Sequence, residues 1–135
     1  MSEYLKPLPH PTELTQPFWD GVRAQTLLVQ KCNGCGLLRH IPKPWCPECL
    51  SEDSTWTELS GNGEVYSYTI MHRAPATSFQ MEIPYAVALV QLDEGVKMIS
   101  NIVSCPIEDV KIGMPVKVVY ERANDEITLF KFAPR

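Results

Sequence analysis

After Ser60-Gly61-Asn62-Gly63, apolar and polar residues alternate with a period of two, which is the pattern of β-strands. Five segments are predicted to form strands: 64–71, 85–92, 96–103, 116–120 and 127–132. The second segment, Tyr85–Leu92, is apolar on both faces, as expected for a strand that is covered on both sides. Asp93-Glu94-Gly95 predicts a hairpin turn, and residues 107–110 predict one helical turn. Together these features predict a small closed barrel of the OB-fold type.

The first part of the chain has a different pattern. Alternating prolines over residues 1–11 predict an extended arm, because proline removes backbone donors and fixes φ. Thr15 is expected to cap a short helix that has Pro17 in its first turn. Segments 26–30, 37–41 and 54–59 are predicted as strands around two cysteine pairs. The chain thus divides into an arm with a short helix (1–25), a metal-binding ribbon (26–60) and a barrel (61–135).

Four cysteines are arranged as two C-x2-C steps, Cys32/Cys35 and Cys46/Cys49, with ten residues between them. Each step lets two thiolates converge on one ion, and two steps supply the four sulfur ligands of a closed tetrahedral zinc site. Such a site has no open position for water or substrate. The spacing therefore predicts a structural zinc ion in a rubredoxin-like ribbon.

Two alternatives for these cysteines stay open at this point. Iron binds the same set of four thiolates, because the ligands alone do not define the metal. Two disulfides are the other alternative, but they require an oxidising compartment. Residues 1–7 contain an early acid and no apolar run, and no segment approaches the length of a membrane span. We therefore expect a cytoplasmic protein with reduced thiols.

Size and charge narrow the classes of function. The chain has 135 residues, of which 44% are hydrophobic, so it can bury a core and global disorder is excluded. Its formal net charge is −4, with charges mixed along the chain. An acidic chain without a basic cluster is a poor match for nucleic-acid phosphates.

The predicted helix carries aromatic residues with two interpretations. Phe18 and Val22 share one helical face, and Trp19 and Arg23 share the adjacent one. One interpretation is that these aromatics pack on the chain's own body. The other is that Phe18, Trp19 and Arg23 anchor a partner protein, since aromatics and arginine lead interface hot spots.

The order of these motifs resembles a known family, the acyl-CoA-associated zinc-ribbon/OB-fold proteins, also called domain of unknown function thirty-five. The resemblance covers essentially the whole chain and is carried by the following stretches: Cys32-x-x-Cys35-Gly36, Pro42-x-x-x-Cys46-Pro47-x-Cys49, Gly61-x-Gly63-x-Val65-Tyr66-Ser67-Tyr68-Thr69, Pro84-Tyr85-x-Val87-Ala88-Leu89-Val90-x-Leu92-Asp93-Glu94-Gly95, Gly113-x-Pro115-Val116 and Phe132-x-Pro134. It implies an accessory subunit of a thiolase-like or other acyl-CoA-processing enzyme, in a hetero-oligomer. In such a complex the barrel would help position acyl-CoA, and the ribbon would provide structure and a docking surface.

No catalytic residue follows from the residues or from the resemblance. Cys105 is the only cysteine outside the ribbon, and it is interpreted as a packing thiol. His10, His40 and His72 are scattered over the arm, the ribbon and a loop. His72 and Arg73 begin the long loop 74–82 and are either an ordinary surface pair or a contact for CoA phosphate, to which arginine donates bidentate hydrogen bonds.

Two other functions compete with the accessory subunit. A single-stranded nucleic-acid-binding OB-fold would stack bases on Tyr66 and Tyr68, which alternation places on one face with Ile70. A stand-alone CoA-ester hydrolase or redox protein would rely on the cysteines. Among these, the accessory role in an acyltransferase or thiolase complex is the leading hypothesis.

Overall fold

A computed structural model describes residues 8–73, 77 and 82–135. The elements are α1 (Gln16–Arg23), β1 (Leu27–Cys32), β2 (Leu38–Arg39), β3 (Ser54–Leu59), β4 (Asn62–Met71), β5 (Tyr85–Leu92), β6 (Lys97–Ile102), a 3-10 turn (Ile107–Asp109), β7 (Pro115–Arg122) and β8 (Thr128–Pro134). The start of the predicted arm, residues 1–7, and most of the loop 74–82 lie outside the described residues. Among the residues described, no helix has the length and apolar character needed to span a membrane.

Helix α1 begins where it was predicted, although its cap differs. Thr15 occupies the N-cap position, but its hydroxyl makes no cap hydrogen bond to the helix. It accepts a hydrogen bond from the N–H of Thr12 at 2.8 Å, and the Thr12 hydroxyl accepts one from the N–H of Thr15 at 3.2 Å. Phe18 and Val22, which share one helical face, are both buried.

The ribbon is a three-stranded antiparallel sheet in the order β2-β1-β3. Gln30 on β1 lies opposite Arg39 on β2. The Gln30 side-chain oxygen accepts hydrogen bonds from Arg39 Nε at 2.9 Å and from the Lys43 N–H at 2.8 Å. Arg39 Nη2 also donates to the Lys43 carbonyl at 3.1 Å. This buried network fixes the chain that leads from β2 to the second cysteine pair.

Residues 62–134 form a closed barrel in the order β4-β5-β6-β8-β7, with β7 returning to β4. All pairs are antiparallel except β6 and β8, which meet in parallel at Ile102 and Phe132. This topology is a five-stranded Greek-key closure, and the predicted fold class is confirmed: a mostly β chain with a short helix, a ribbon and an OB-fold. Phe132, Val90 and Val116 are fully buried at its centre.

Strand β4 contains a bulge that the alternation pattern did not predict. Val65 pairs with Val90, but Ser67 pairs with Leu89, so Tyr66 is an extra residue between them. Tyr68 lies opposite the buried Ala88 and therefore points to the barrel interior side. Tyr66 points outward, beneath the ammonium group of Lys97 at 4.0 Å from the ring centroid. The prediction that Tyr66, Tyr68 and Ile70 share a face is wrong, because the extra residue reverses the alternation.

The ribbon half of the chain, which comprises α1 and strands β1–β3, contacts the barrel through aromatic rings. Phe18 of α1 contacts Phe130 of β8 edge-to-face at a centroid distance of 5.5 Å, and it contacts His40 at 5.1 Å. Phe130 contacts Phe132 in the barrel at 6.2 Å. On the connection itself, the Ser60 N–H donates to the Glu94 carboxylate at 2.8 Å. Helix α1 therefore joins the two sheets into one packed unit.

Candidate metal centre

The two cysteine pairs lie in turns with the same backbone hydrogen bonds. In the first turn the N–H of Gly36 donates to the Cys32 carbonyl at 2.8 Å, and in the second the N–H of Leu50 donates to the Cys46 carbonyl at 2.9 Å. Gly36 and Leu50 occupy the same position in their turns, and both have positive φ, at 81° and 65°. A glycine adopts this conformation freely, whereas a leucine is strained there.

The turns bring four sulfur atoms to one point. All four lie within 4.8 Å of one another. Cys32 Sγ is 3.4 Å from Cys49 Sγ, and Cys35 Sγ is 3.6 Å from Cys46 Sγ, so the close approaches cross between the two turns. Sulfurs about 3.8 Å apart surround a zinc ion in tetrahedral geometry with bonds of about 2.3 Å. The donor set and its dimensions fit zinc.

Backbone donors prepare the first cysteine of each turn for ionisation. The N–H of Cys35 is the main cause that lowers the pKa of Cys32 to about 6, and the N–H of Cys49 lowers the pKa of Cys46. The N–H of Leu37 acts in the same direction on Cys35, but the Cys46 thiol and burial outweigh it and raise that pKa to about 12. Four thiolates this close repel one another, so the set ionises fully only around a shared cation.

The cysteines form a structural site. The cysteines are not paired in disulfides, and the predicted ligands Cys32, Cys35, Cys46 and Cys49 are the four that converge. Four thiolates complete a tetrahedral shell and leave no position for water or substrate. The zinc ion of this ribbon is therefore a structural cofactor.

The three α1 residues of the predicted partner contact differ in their exposure to solvent. Phe18 is only 2% exposed and packs against His40 and Phe130, so it belongs to the protein's own core. Trp19 is half-buried beside it, and Arg23 is exposed at the last turn of the helix. Of the two interpretations of these aromatics, packing within the chain applies to Phe18.

The remaining candidates are not part of the cysteine cluster. His72 and Arg73 are exposed and directly follow β4. Cys105 is half-buried, and burial followed by the charges of Asp109 and Glu108 raises its pKa. A raised pKa is the opposite of what an activated nucleophile requires, so the interpretation of Cys105 as a packing thiol stands.

Sequence reasoning missed a group of apolar residues on the outer face of the barrel. Leu89 and Ile99 lie opposite each other on β5 and β6, with Ile99 65% exposed. Ile41, in the segment after β2, is 66% exposed. The sequence signal for this group was the segment Tyr85–Leu92, which is apolar on both faces. In the structure its inner face is buried and its outer face is only partly covered.

The fold and the site together define a zinc-ribbon/OB-fold protein, and comparison with known domains agrees. Residues 19–55 match the family described as the ChsH2 rubredoxin-like zinc ribbon domain. Residues 56–121 match the family described as the ChsH2 C-terminal OB-fold domain. The two matches adjoin in the order in which the two sheets occur here.

Curated relatives extend the match to most of the chain. A DUF35 domain-containing scaffold protein of Methanocaldococcus jannaschii is 34% identical over 110 residues, which are 80% of this chain and 77% of that protein. A probable enoyl-CoA hydratase alpha subunit of Thermomonospora curvata is 42% identical over 118 residues, or 87% of this chain. The chain spans only 36% of the length of that subunit. The protein belongs to the DUF35 family.

Solved structures agree with this assignment. A chain of the Ltp2-ChsH2(DUF35) aldolase superposes with a TM-score of 0.85 at 38% identity, covering 94% of this chain and 98% of that chain. A DUF35 family protein of unknown function from Sulfolobus solfataricus has a TM-score of 0.67 at 17% identity, covering 91% of this chain and 86% of that one. At that identity the second likeness concerns the fold alone.

Proposed function

We propose that this protein is a non-catalytic accessory subunit of an acyl-CoA-processing complex. In this role it stabilises a catalytic partner and contributes to acyl-CoA binding or channelling. The zinc ribbon is a rigid structural part of the subunit, and the chemistry belongs to the partner.

The observation that carries the proposal is the likeness to the chain of the Ltp2-ChsH2(DUF35) aldolase, which extends over nearly the full length of both chains. The names of other relatives point in the same direction. They include two acyl-CoA hydratase alpha subunits and a scaffold protein. Because these relatives are named for hydratases and an aldolase, we propose a partner of one of these classes and retain the thiolase-like enzyme as a third.

The described residues support a non-catalytic role. The metal site is closed by four thiolates. Cys105 has a raised pKa, and burial lowers the pKa of His40 to about 4 beneath aromatic rings. A nucleophile paired with a base, which covalent catalysis on a thioester requires, is not assembled by these groups.

Co-expression with a hydratase, aldolase or thiolase-type subunit of the same organism tests the proposal. We expect the two proteins to elute together, and intact-complex mass measurement then gives the stoichiometry. Activity on acyl-CoA should rise or become stable only with both subunits present. Separate elution from each of the three enzyme classes, or full activity of the enzyme alone, would contradict the proposal.

Within that complex, His72 and Arg73 are proposed to contact the phosphates of CoA. Both are exposed at the end of β4, and arginine can donate two parallel hydrogen bonds to phosphate. Arg73→Gln should raise KM for acyl-CoA with little change in kcat, whereas Arg122→Gln, which alters an exposed pair with Asp125, should change neither. Equal effects of the two variants would remove Arg73 from the proposal.

A further inference from the structure

Three neighbouring cavities extend from helix α1, across the boundary between the ribbon half and the barrel, onto the outer face of β4 and β5. The central one has a volume of about 380 Å³ and is lined by His40, Ile41, Leu89, Lys97 and Ile99. It shares His40 and Ile41 with a cavity of about 260 Å³ beside α1, and Leu89 and Ile99 with one of about 220 Å³ over β4 and β5. Neighbouring cavities share lining residues, and we refer to the three together as the seam groove.

The walls of the seam groove are apolar and prominent. Ile41 and Ile99 each line two of the three cavities, and about two-thirds of each side chain is exposed. Trp19 and Phe130 continue the apolar surface at the α1 end. Single exposed apolar residues are common on protein surfaces, but a contiguous apolar patch marks a site of interaction.

The charges of the groove are unlike those of the chain as a whole. The protein carries a formal net charge of −4, yet none of the described residues that line the three cavities has a carboxylate. Lys97 is the one cation of the described lining, and its ammonium group rests on the ring of Tyr66. Burial lowers the pKa of His40 to about 4, so the imidazole is neutral at physiological pH. The groove is thus an apolar surface with a single positive charge.

We propose that the seam groove is the docking surface for the catalytic subunit, and that it receives an apolar segment of that subunit with a carboxylate positioned to pair with Lys97. This inference rests on the proposed function and specifies the partner surface. It is carried by the adjoining cavities, the two exposed isoleucines and the positive charge of Lys97, to which a carboxylate is complementary.

The geometry favours a protein segment over other occupants. Small-molecule sites enclose most of the ligand, whereas Ile41 and Ile99 project from the surface and remain mostly uncovered. Nucleic acid requires several cations along its path, and the described lining supplies one. A protein surface can cover both isoleucines at once, which would remove their apolar area from water.

A matched pair of isoleucine variants tests the proposal. Ile99 and Ile112 are 65% and 70% exposed, but Ile112 lies outside the three cavities. The purified zinc-loaded variants Ile99→Asp and Ile112→Asp would be titrated with the purified catalytic subunit that co-elutes with the wild type. We expect Ile99→Asp to weaken binding by about 30-fold or more and Ile112→Asp by less than about 3-fold. Equal zinc content and equal melting temperatures would establish that both variants are folded.

A charge reversal provides an independent test. Lys97→Glu should weaken binding by about 10-fold and reduce its dependence on salt, because it places like charges opposite each other. Lys111→Glu changes the net charge equally at an exposed residue that lines none of the three cavities, and it should leave the affinity nearly unchanged. Equal losses for the two lysine variants would contradict the assigned role of Lys97.

The outcomes separate the two proposals. If the wild type binds the catalytic subunit and Ile99→Asp binds equally well, the docking surface is wrong while the accessory function stands. If Ile99→Asp abolishes only a self-association of the wild type, the occupant is a second copy and the proposal is overturned. If the wild type binds no hydratase, aldolase or thiolase-type subunit, both proposals fail together.

Discussion

The ribbon and the barrel are both built from antiparallel strands, but different forces hold them. The ribbon sheet has only three strands, and β2 is two residues long. Its buried apolar side chains are few, led by Leu27 and Val29. The barrel closes on itself around residues such as Val90 and Phe132, which are fully buried.

This difference shows how a metal replaces a core. A segment of about 30 residues buries too little apolar surface to offset the loss of conformational entropy. Four thiolates around one zinc ion supply the missing free energy at a single point. The barrel distributes the same stabilisation over many side chains and strand pairs, so no single group decides whether it folds.

Metal removal should produce the largest difference in stability between the ribbon and the barrel. Zinc contributes roughly 10–16 kcal/mol to the folding of small zinc modules, so chelation, or the variant Cys46→Ser, should unfold the ribbon while the barrel persists. Hydrogen exchange should show lost protection over residues 27–59 and retained protection over β5–β6. Cys105→Ser should leave the zinc content unchanged. Simultaneous loss of protection in both parts would contradict the separation.

A core truncation should weaken the barrel without unfolding it, in contrast to the effect of metal loss on the ribbon. Phe132 is fully buried, and Phe132→Ala should lower the free energy of unfolding by about 3–5 kcal/mol, because it leaves a cavity. Urea titration followed by circular dichroism measures this, and the zinc content of the folded variant should be normal. Ile112→Ala, at an exposed position, should change stability by less than about 0.5 kcal/mol.

Acid should weaken the contact between the two parts through His40. Its ring packs on Phe18 and Phe130, its buried Nδ1 has no hydrogen-bond partner, and burial lowers its pKa from 6.5 to about 4. The unfolded state therefore binds the proton first as pH falls. This contribution to stability is complete above pH 6.5 and is lost progressively towards pH 4.

Urea unfolding at pH 7 and pH 5, with zinc in both buffers, measures the effect of His40. The wild type should lose about 2 kcal/mol more between the two pH values than His40→Leu, which has no titrating group at this position. An equal loss in both proteins would assign the acid sensitivity to other groups.

The smallest effect contrasts the two cysteine turns. Leu50→Gly should relieve the strain of positive φ and tighten zinc binding by about 2-fold, a net gain of about 0.5 kcal/mol after the entropy of glycine. Gly36→Ala should weaken zinc binding by about 5-fold, because φ is 81° while nothing lies within 4 Å of the added Cβ. Chelator competition measures both. Equal changes of the same sign would show that φ does not control these turns.

Much of the architecture could be predicted because it depends on local signals. The spacing of Cys32, Cys35, Cys46 and Cys49 indicates a metal site, since ligand geometry restricts the possible spacings. The alternation from Glu64 onward and the turn ending at Gly95 predict the barrel strands, because strand faces and hairpin turns are local features.

What the sequence did not predict depends on contacts between distant residues. The bulge at Tyr66 is defined by the register of β4 against β5, which a single strand does not specify. The burial of Phe18 and His40 depends on Phe130, which lies 112 and 90 residues further along the chain, respectively. The seam groove is likewise formed only when Ile41 of the ribbon half meets Lys97 and Ile99 of the barrel.

The extra residue in β4 also gives this fold a place where it can vary. Before the bulge, β4 is bonded to both β5 and β7, and after it only to β5. Ser67, Tyr68 and Thr69 are exposed, and among the described strands this stretch forms an edge of the sheet, paired with β5, which is itself paired with β6. Because β4 closes the barrel against β7 before the bulge, substitutions on the outer face of this edge can change what the surface recognises without disturbing closure.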